Sequence, residues 1–189
     1  MDKAVKTYRV DDVCRNTDMK NLNEITDLLI AGGHKVMWAV SPLVHNMFDA
    51  NDPVKSQRVF PEVLNAYSDV RHFYEVDAME IPVIREGVDV AAHGILHLDH
   101  RLIHESVQEL SILVSCSLLK CKKFVPPFNK WTKSMEIICQ QNGIELVKFE
   151  SGWKSMEFNK CNPSHNLWYM HSREWSYKKV IDWHVSANV

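Results

Sequence analysis

The sequence predicts an α/β fold built around a parallel sheet. Short apolar runs end in polar residues and are followed by helix-like segments, which is the pattern of repeated strand-helix units. The composition, 46% hydrophobic and 24% charged, suits a globular chain with a sizeable core. The polar residues that could take part in catalysis or binding directly follow the predicted strands. The carboxyl ends of parallel strands are where ligands bind in such folds. We therefore expect residues remote in sequence to lie together at the carboxyl ends of the strands, a region that we call the mouth.

Six apolar segments predict the strands of this sheet. Each is short, rich in residues that favour strands, and bounded by turn-forming residues. They lie at about Thr7–Asp11, Lys35–Val40, Val88–His93, Lys123–Pro127, Ile144–Phe149 and Leu167–His171.

Helical periodicity predicts four helices between and after these strands. The third has the clearest pattern, because apolar residues recur at helical spacing before Asn142 and Gly143 supply a stop. The helices are expected near Met19–Ala31, Leu102–Leu119, Trp131–Asn142 and Glu174–Trp183. The prolines between Asp49 and Glu86 predict a long loop, with a brief helix near Pro61–Ser68.

Length, charge and cysteine content limit the classes of function. A chain of 189 residues without internal repeats or linkers is expected to form a single domain, 1–189. The net charge of −2, without long runs of either sign, argues against binding to nucleic acid or to a membrane surface. Five scattered cysteines favour reduced thiols. Without a signal-like or membrane-spanning apolar run, the expected location is the cytoplasm.

The acidic pair Asp11-Asp12 ends the first predicted strand. Two adjacent carboxylates resist joint ionisation unless a cation lies between them, so the pair suggests a metal. The alternative is a turn that caps the following helix through an aspartate side chain. The pair alone does not decide between the two.

The second cluster contains His93 and His97, separated by three residues. If the intervening turn is helical, both side chains lie on one face with their Cβ atoms about 5–6 Å apart, within reach of one ion. Two ordinary polar histidines are the alternative. Asp99 either orients a ligand histidine or is a surface carboxylate.

The third cluster follows the fourth predicted strand. A Pro-Pro pair fixes the direction of the chain there and presents aromatic and amide side chains at the mouth. Aromatic faces suit sugar rings, although Pro-Pro is also a common rigid turn and tryptophans are commonly core residues. The residues expected to line a substrate groove are Pro127, Phe128, Asn129, Trp131 and Trp153. His171, at the end of the last predicted strand, is either part of the mouth or a core histidine.

The order and spacing of these motifs resemble the polysaccharide deacetylase family, the NodB-like carbohydrate esterases of family 4. The resemblance covers nearly the whole chain. It implies a distorted (β/α) barrel of about seven parallel strands and a divalent metal, with zinc as the default ion. It implies that Asp11 is the catalytic base, that Asp12, His93 and His97 are metal ligands, and that His171 is the general acid. The implied reaction removes acetyl groups from an N-acetylated or O-acetylated carbohydrate.

The chain departs from the family pattern at the proline motif. An arginine that pairs with the base normally begins this motif, whereas Val125 stands there in this sequence. Side chains two apart on a strand share a face, so Arg9 is a candidate replacement, and Arg101 is another. The family's acidic element before a tryptophan is matched only in part around Trp153. Two alternatives therefore stay open: a metal- and carbohydrate-binding protein without turnover, and a hydrolase of another non-peptide C–N bond.

Overall fold

The computed structural model describes residues 5–14, 17–42, 85–95, 97–156, 165–172 and 176–186. Most of the predicted loop between Asp49 and Glu86, its brief helix at Pro61–Ser68, and the predicted start of the last helix at Glu174 lie outside these residues. Within the described part of the chain, no helix combines the length and apolar character needed to cross a bilayer.

One sheet of seven parallel strands organises the described residues, in the order β5-β4-β3-β2-β1-β7-β6. The long central strands come from the β-branched and aromatic segments, which fit a pleated, buried surface. The strands are β1 (Thr7–Val13), β2 (Lys35–Val40), β3 (Val88–Ala92), β4 (Lys123–Phe124), β5 (Glu145–Leu146), β6 (Lys154–Ser155) and β7 (Leu167–His171).

Four helices connect or follow these strands in the described ranges. Three begin at a side chain that accepts a hydrogen bond from the first turn: Asp18, His104 and Thr132. The helices are α1 (Met19–Ala31), α2 (Glu105–Leu118), α3 (Lys133–Gln141) and α4 (Tyr177–Ser186). Asp18, rather than the Asp11-Asp12 pair, therefore caps the first helix.

All six predicted strands and all four predicted helices are present. The bounds of Met19–Ala31, Lys35–Val40 and Leu167–His171 are as predicted, and those of the other elements are shifted. The strand β1 continues two residues beyond the predicted end, so the acidic pair lies inside it. The short strand β6 was not predicted, because two residues carry no periodicity.

Alternation along the strands divides the core into two parts. The helix-side core packs the four helices onto side chains such as Tyr8, Val10 and Trp38. The opposite face forms a smaller cluster without helical residues, which includes Val125, Trp153 and Tyr169. Successive side chains of a strand point to opposite faces. Arg9, Asp11 and His171 therefore lie on the face of this smaller cluster, which we call the inner face.

Candidate active site

Asp12, His93 and His97 come together at the carboxyl ends of β1 and β3. One potential ligand atom from each residue lies within 4.8 Å of the other two. Among the described residues, these three form the one group of histidine, cysteine or acidic side chains that could hold a metal ion. Oδ1 of Asp12 is 3.4 Å from Nε2 of His93 and 2.9 Å from Nε2 of His97. The side chains are only 10%, 2% and 15% exposed, respectively.

A register break in β1 directs the two adjacent aspartates to different neighbours. The pairing of β1 with β2 shifts between Val10 and Val13, and Asp12 has a φ of 62°. Aspartate adopts this left-handed backbone more readily than most residues. The carboxylate of Asp12 consequently contacts the histidines, whereas that of Asp11 contacts Arg9.

Hydrogen bonds hold both the ring and the backbone of His93. Its Nδ1 lies 2.8 Å from the carbonyl oxygen of Val125, and its backbone oxygen accepts a hydrogen bond from the Ser41 hydroxyl at 2.9 Å. A carbonyl oxygen only accepts, so Nδ1 carries a proton. Nε2, which faces Asp12, donates to that carboxylate when it is protonated, and in the neutral ring it carries the lone pair that a metal ligand requires.

The residues Gly94 and His97 do not have the helical backbone that the spacing suggested. Gly94 and His97 have φ values of 75° and 52°. The buried ring of His100 supports this turn, with Nδ1 on the carbonyl of Leu98 and Nε2 on the hydroxyl of Ser111. Burial lowers the pKa of His100 to about 4, so this histidine is neutral at ordinary pH.

The donor set fits a divalent transition metal. It combines two imidazole nitrogens with one carboxylate oxygen, leaves further coordination positions open, and has one imidazole held by a backbone carbonyl. Burial by itself would raise the pKa of Asp12. The charge of His97 and the hydrogen bonds of both histidines outweigh it, so the pKa of Asp12 lies well below its usual value. Asp12 is thus ionised, as a ligand carboxylate must be.

Arg9 and Asp11 form a buried ion pair beside this cluster. Nε and Nη2 of Arg9 each donate to one carboxylate oxygen of Asp11 at 2.8 Å, and both residues are almost fully buried. The guanidinium carbon lies over the rings of Trp153 and Tyr169, 5.0 and 5.1 Å from their centroids. Nη2 also donates to Oδ1 of Asn129 at 2.7 Å. The contact predicted between Arg9 and Asp11 is therefore present, in a side-on, two-bond geometry.

Arg101 does not take this position. Its guanidinium pairs with Asp99 near the surface, and Asp99 also accepts from the backbone N–H of Arg101. Asp99 therefore caps the turn at His100–Leu102 and does not orient a ligand histidine.

His171 ends β7 directly beside Asp11, its register partner on β1. The residue is half-buried, and its ring lies edge-on to Tyr169 with 5.9 Å between centroids. The following residue, Ser172, donates from its backbone N–H to the carbonyl of Asp11 and from its hydroxyl to that of Asp12. These bonds tie the end of β7 to both aspartates.

The residues expected to line a groove divide into two groups. Phe128 is 39% exposed, and its ring centroid lies 4.7 Å from that of His97, so it is available at the mouth. Pro127 is buried, and Asn129 is directed at Arg9. Trp153 is 6% exposed, and Trp131 packs against the helix-side core beneath Lys148. The prediction that the two tryptophans form the groove is corrected: one supports Arg9 and the other belongs to the core.

Several supporting residues were missed by the sequence analysis. Tyr169 could have been identified from the sequence, because it lies two residues before His171 on the same strand and so shares the face of His171. The carbonyl of Val125 carries no side-chain signal. The roles of Ser41 and Ser111 depend on contacts with residues 52 and 11 positions away, which spacing does not reveal.

Comparison with known proteins places this architecture among solved structures, although no protein-family model and no curated protein matches the sequence. A family 4 carbohydrate esterase from Streptomyces lividans superposes with a TM-score of 0.55 at 12% identity, over 97% of this chain and 86% of that one. The peptidoglycan deacetylase PdaC from Bacillus subtilis gives 0.52 at 12% identity, over 100% and 87%.

A third similar structure is described as a pseudoenzyme of the same esterase family from Bacillus anthracis. It superposes with a TM-score of 0.56 at 8% identity, over 99% of this chain and 62% of that one. A mutant of that pseudoenzyme is described as having restored enzymatic activity. At these identities the similarity shows the fold. The chain has the NodB-like polysaccharide deacetylase fold, and the seven parallel strands of its described residues, curled into a half-barrel, confirm the predicted distorted (β/α) barrel.

Proposed function

We propose that this protein is a metal-dependent hydrolase that removes acetyl groups from a sugar or polysaccharide, with N-acetyl groups favoured and O-acetyl groups possible. The observation that carries the proposal is the separate pairing of two adjacent carboxylates. Asp12 contacts His93 and His97, whereas Asp11 pairs with Arg9 on the inner face. One carboxylate would therefore hold an ion, and its neighbour would take part in proton transfer.

The ligands would be Asp12, His93 and His97, with zinc as the default ion. When bound there, the metal would polarise the acetyl carbonyl and lower the pKa of a water molecule towards roughly 7. The hydrogen bond of His93 to the carbonyl of Val125 keeps the ring in the tautomer that this role requires.

Asp11 would act as the general base. Each of its oxygens accepts one hydrogen bond from Arg9 and keeps a second lone pair, so the carboxylate can still accept the proton of the attacking water. Because the pair is buried and the guanidinium also contacts the rings of Trp153 and Tyr169, the carboxylate would be oriented before substrate binds.

His171 would be the general acid. Its position beside Asp11 at the end of β7 places an imidazole on the inner face of the same mouth. A protonated imidazole there would give its proton to the departing sugar amine, which cannot leave as an anion. Phe128, exposed beside His97, would pack against a sugar ring.

A catalytically impaired binding protein of the same fold is the second candidate. The similarity to a structure described as a pseudoenzyme favours keeping it, together with the valine at position 125 where the family places an arginine. The ion pair between Arg9 and Asp11 argues for the enzyme. Arg9, from β1, supplies the positive charge that position 125, after β4, lacks.

The test is metal analysis of the purified protein followed by an acetate-release screen. N-acetylated and O-acetylated mono- and oligosaccharides would be incubated with the protein loaded with zinc and with the chelated protein. We expect acetate release by the loaded protein alone. A fully loaded protein that releases no acetate, but binds the sugars, would favour the binding protein over the enzyme.

A further inference from the structure

Two cysteines lie at the carboxyl end of α2, away from the candidate active site. The helix ends at Leu118, Lys120 adopts a φ of 50°, and the backbone N–H of Cys121 donates to the carbonyl of Cys116 at 3.0 Å. The N–H of Lys120 donates to the carbonyl of Ser117 at 3.1 Å. This pair of bonds defines a Schellman cap, in which the first and last residues bring their side chains into contact. Here both of those residues are cysteines.

The two thiols also share one acceptor. The Sγ atoms of Cys116 and Cys121 lie 3.7 and 3.5 Å from the carbonyl oxygen of Lys123, the first residue of β4. Both cysteines are free, Cys116 is buried, and Cys121 is partly exposed. We propose that Cys116 and Cys121 form a thiol oxidation site, which low-molecular-weight disulfides convert reversibly to an intramolecular disulfide.

The environment gives the two thiols different roles. The hydrogen bond from the Cys116 thiol, with backbone hydrogen bonds, lowers the pKa of Cys121 to about 7, against the effect of burial. The same hydrogen bond and burial raise the pKa of Cys116. Cys121 is therefore the partly exposed thiolate that reacts first, and Cys116 is the buried partner that resolves the product.

The reaction proceeds in two exchanges. The Cys121 thiolate attacks one sulfur of the small disulfide, forms a mixed disulfide and releases one small thiolate. Cys116 then loses its proton and attacks Sγ of Cys121, which expels the second small thiolate. The two protein thiols are oxidised, and the small disulfide is reduced to two thiols.

The test uses oxidised glutathione with the folded, full-length protein. After quenching by alkylation, intact mass should show the loss of two hydrogen atoms. Trypsin cuts after Lys120, so the linked product should appear as two peptides joined through Cys116 and Cys121. Cys139→Ser is the matched control, because Cys139 is a buried free thiol outside the cap, and it should still form the link.

The serine variants separate the two roles. Cys116→Ser should stop at a single glutathione adduct on Cys121, and Cys121→Ser should give no adduct at the cap. Alkylation of Cys121 should reach half its maximal rate near pH 7 in the parent protein and at a higher pH in Cys116→Ser. A link between other cysteines, no reaction in the folded parent, or the same pH dependence in both proteins would overturn the proposal.

Discussion

The guanidinium of Arg9 lies side-on against the carboxylate of Asp11, with Nε on Oδ1 and Nη2 on Oδ2 at 2.8 Å each. Removing one partner of a buried pair leaves the other charge uncompensated, which typically costs about 3–5 kcal/mol. We expect Arg9→Met to lower the free energy of unfolding by about this amount in urea denaturation. The double variant Arg9→Met/Asp11→Asn should be less destabilised than the sum of its parts. Additive effects would contradict the coupling.

The same pair predicts a rescue. If Arg9 holds the base in place, Arg9→Met should lower acetate release on the order of 100-fold. Val125 lies on the inner face in the same cluster as Trp153 and Tyr169, the residues that flank the guanidinium of Arg9. Adding Val125→Arg to Arg9→Met should therefore restore part of the turnover, whereas Val125→Arg alone should not raise it.

The ligand assignment predicts that metal binding and proton transfer can be separated. His93→Ala and His97→Ala should lose bound zinc and turnover together. Asp11→Asn should keep the metal while turnover falls by roughly 10²- to 10⁴-fold. Elemental analysis measures the metal, and His104→Ala, an exposed helix cap, is the control that should retain it. Full metal occupancy in both histidine variants would refute the ligand set.

Gly94 is expected to be essential for the turn that carries His97. Its φ is 75°, and a Cβ there would lie 3.1 Å from Cε1 of His100 and 3.2 Å from Cγ of Pro127. Gly143→Ala is a matched control, with a φ of 62° and no atom within 4 Å of the added Cβ. Both substitutions should cost about 1–2 kcal/mol in backbone strain. Only Gly94→Ala should cost more than this and weaken zinc affinity, as measured by urea denaturation and competitive chelation.

His100 predicts a loss of stability in acid. Burial lowers its pKa from 6.5 to about 4, so below pH 6.5 the unfolded chain binds a proton that the folded chain does not. The contribution is complete above pH 6.5 and is lost as the pH falls to about 4, by roughly 3 kcal/mol in total. Urea denaturation across this range should show a flatter dependence for His100→Gln. Equal slopes for the two proteins would exclude the assignment.

Asn129 should act through Arg9 and not through substrate contact. Asn129→Gly keeps the left-handed backbone but removes the acceptor for Nη2, whereas Asn129→Asp keeps an oxygen there. We expect the glycine variant to lower kcat about tenfold, equivalent to roughly 1.4 kcal/mol, with little change in KM. The aspartate variant should retain most of the parent kcat. A rise in KM alone would indicate a substrate-binding residue instead.

The sequence was sufficient for the parts of the fold that follow a simple period. Helical spacing located α3, and the polar ends of β1, β3 and β7 located the mouth. Period-two alternation also made Arg9 a candidate partner of Asp11, because side chains two apart on a strand share a face, and the two side chains are in contact. These features depend on neighbours in sequence, which a pattern can record.

The features that were missed depend on backbone conformation or on distant contacts. The spacing of His93 and His97 is compatible with a helical turn, and only Gly94 indicates the left-handed backbone that Gly94 and His97 adopt. Trp153 is expected from the sequence to line the groove, whereas its ring is buried and contacts Arg9, a residue 144 positions away. Aromatic character alone does not distinguish a platform for a ligand from a support for a charge.

The position of Arg9 on the same strand as Asp11 has a consequence for protein engineering. The proposed base and its counter-ion lie two residues apart on one strand, so the positive charge does not have to come from the loop after β4. We expect that loop to tolerate grafted sequences of different shape, provided that residue 129 keeps an acceptor for Nη2. Conversely, a fold relative whose loop has lost its arginine should accept the charge from its first strand.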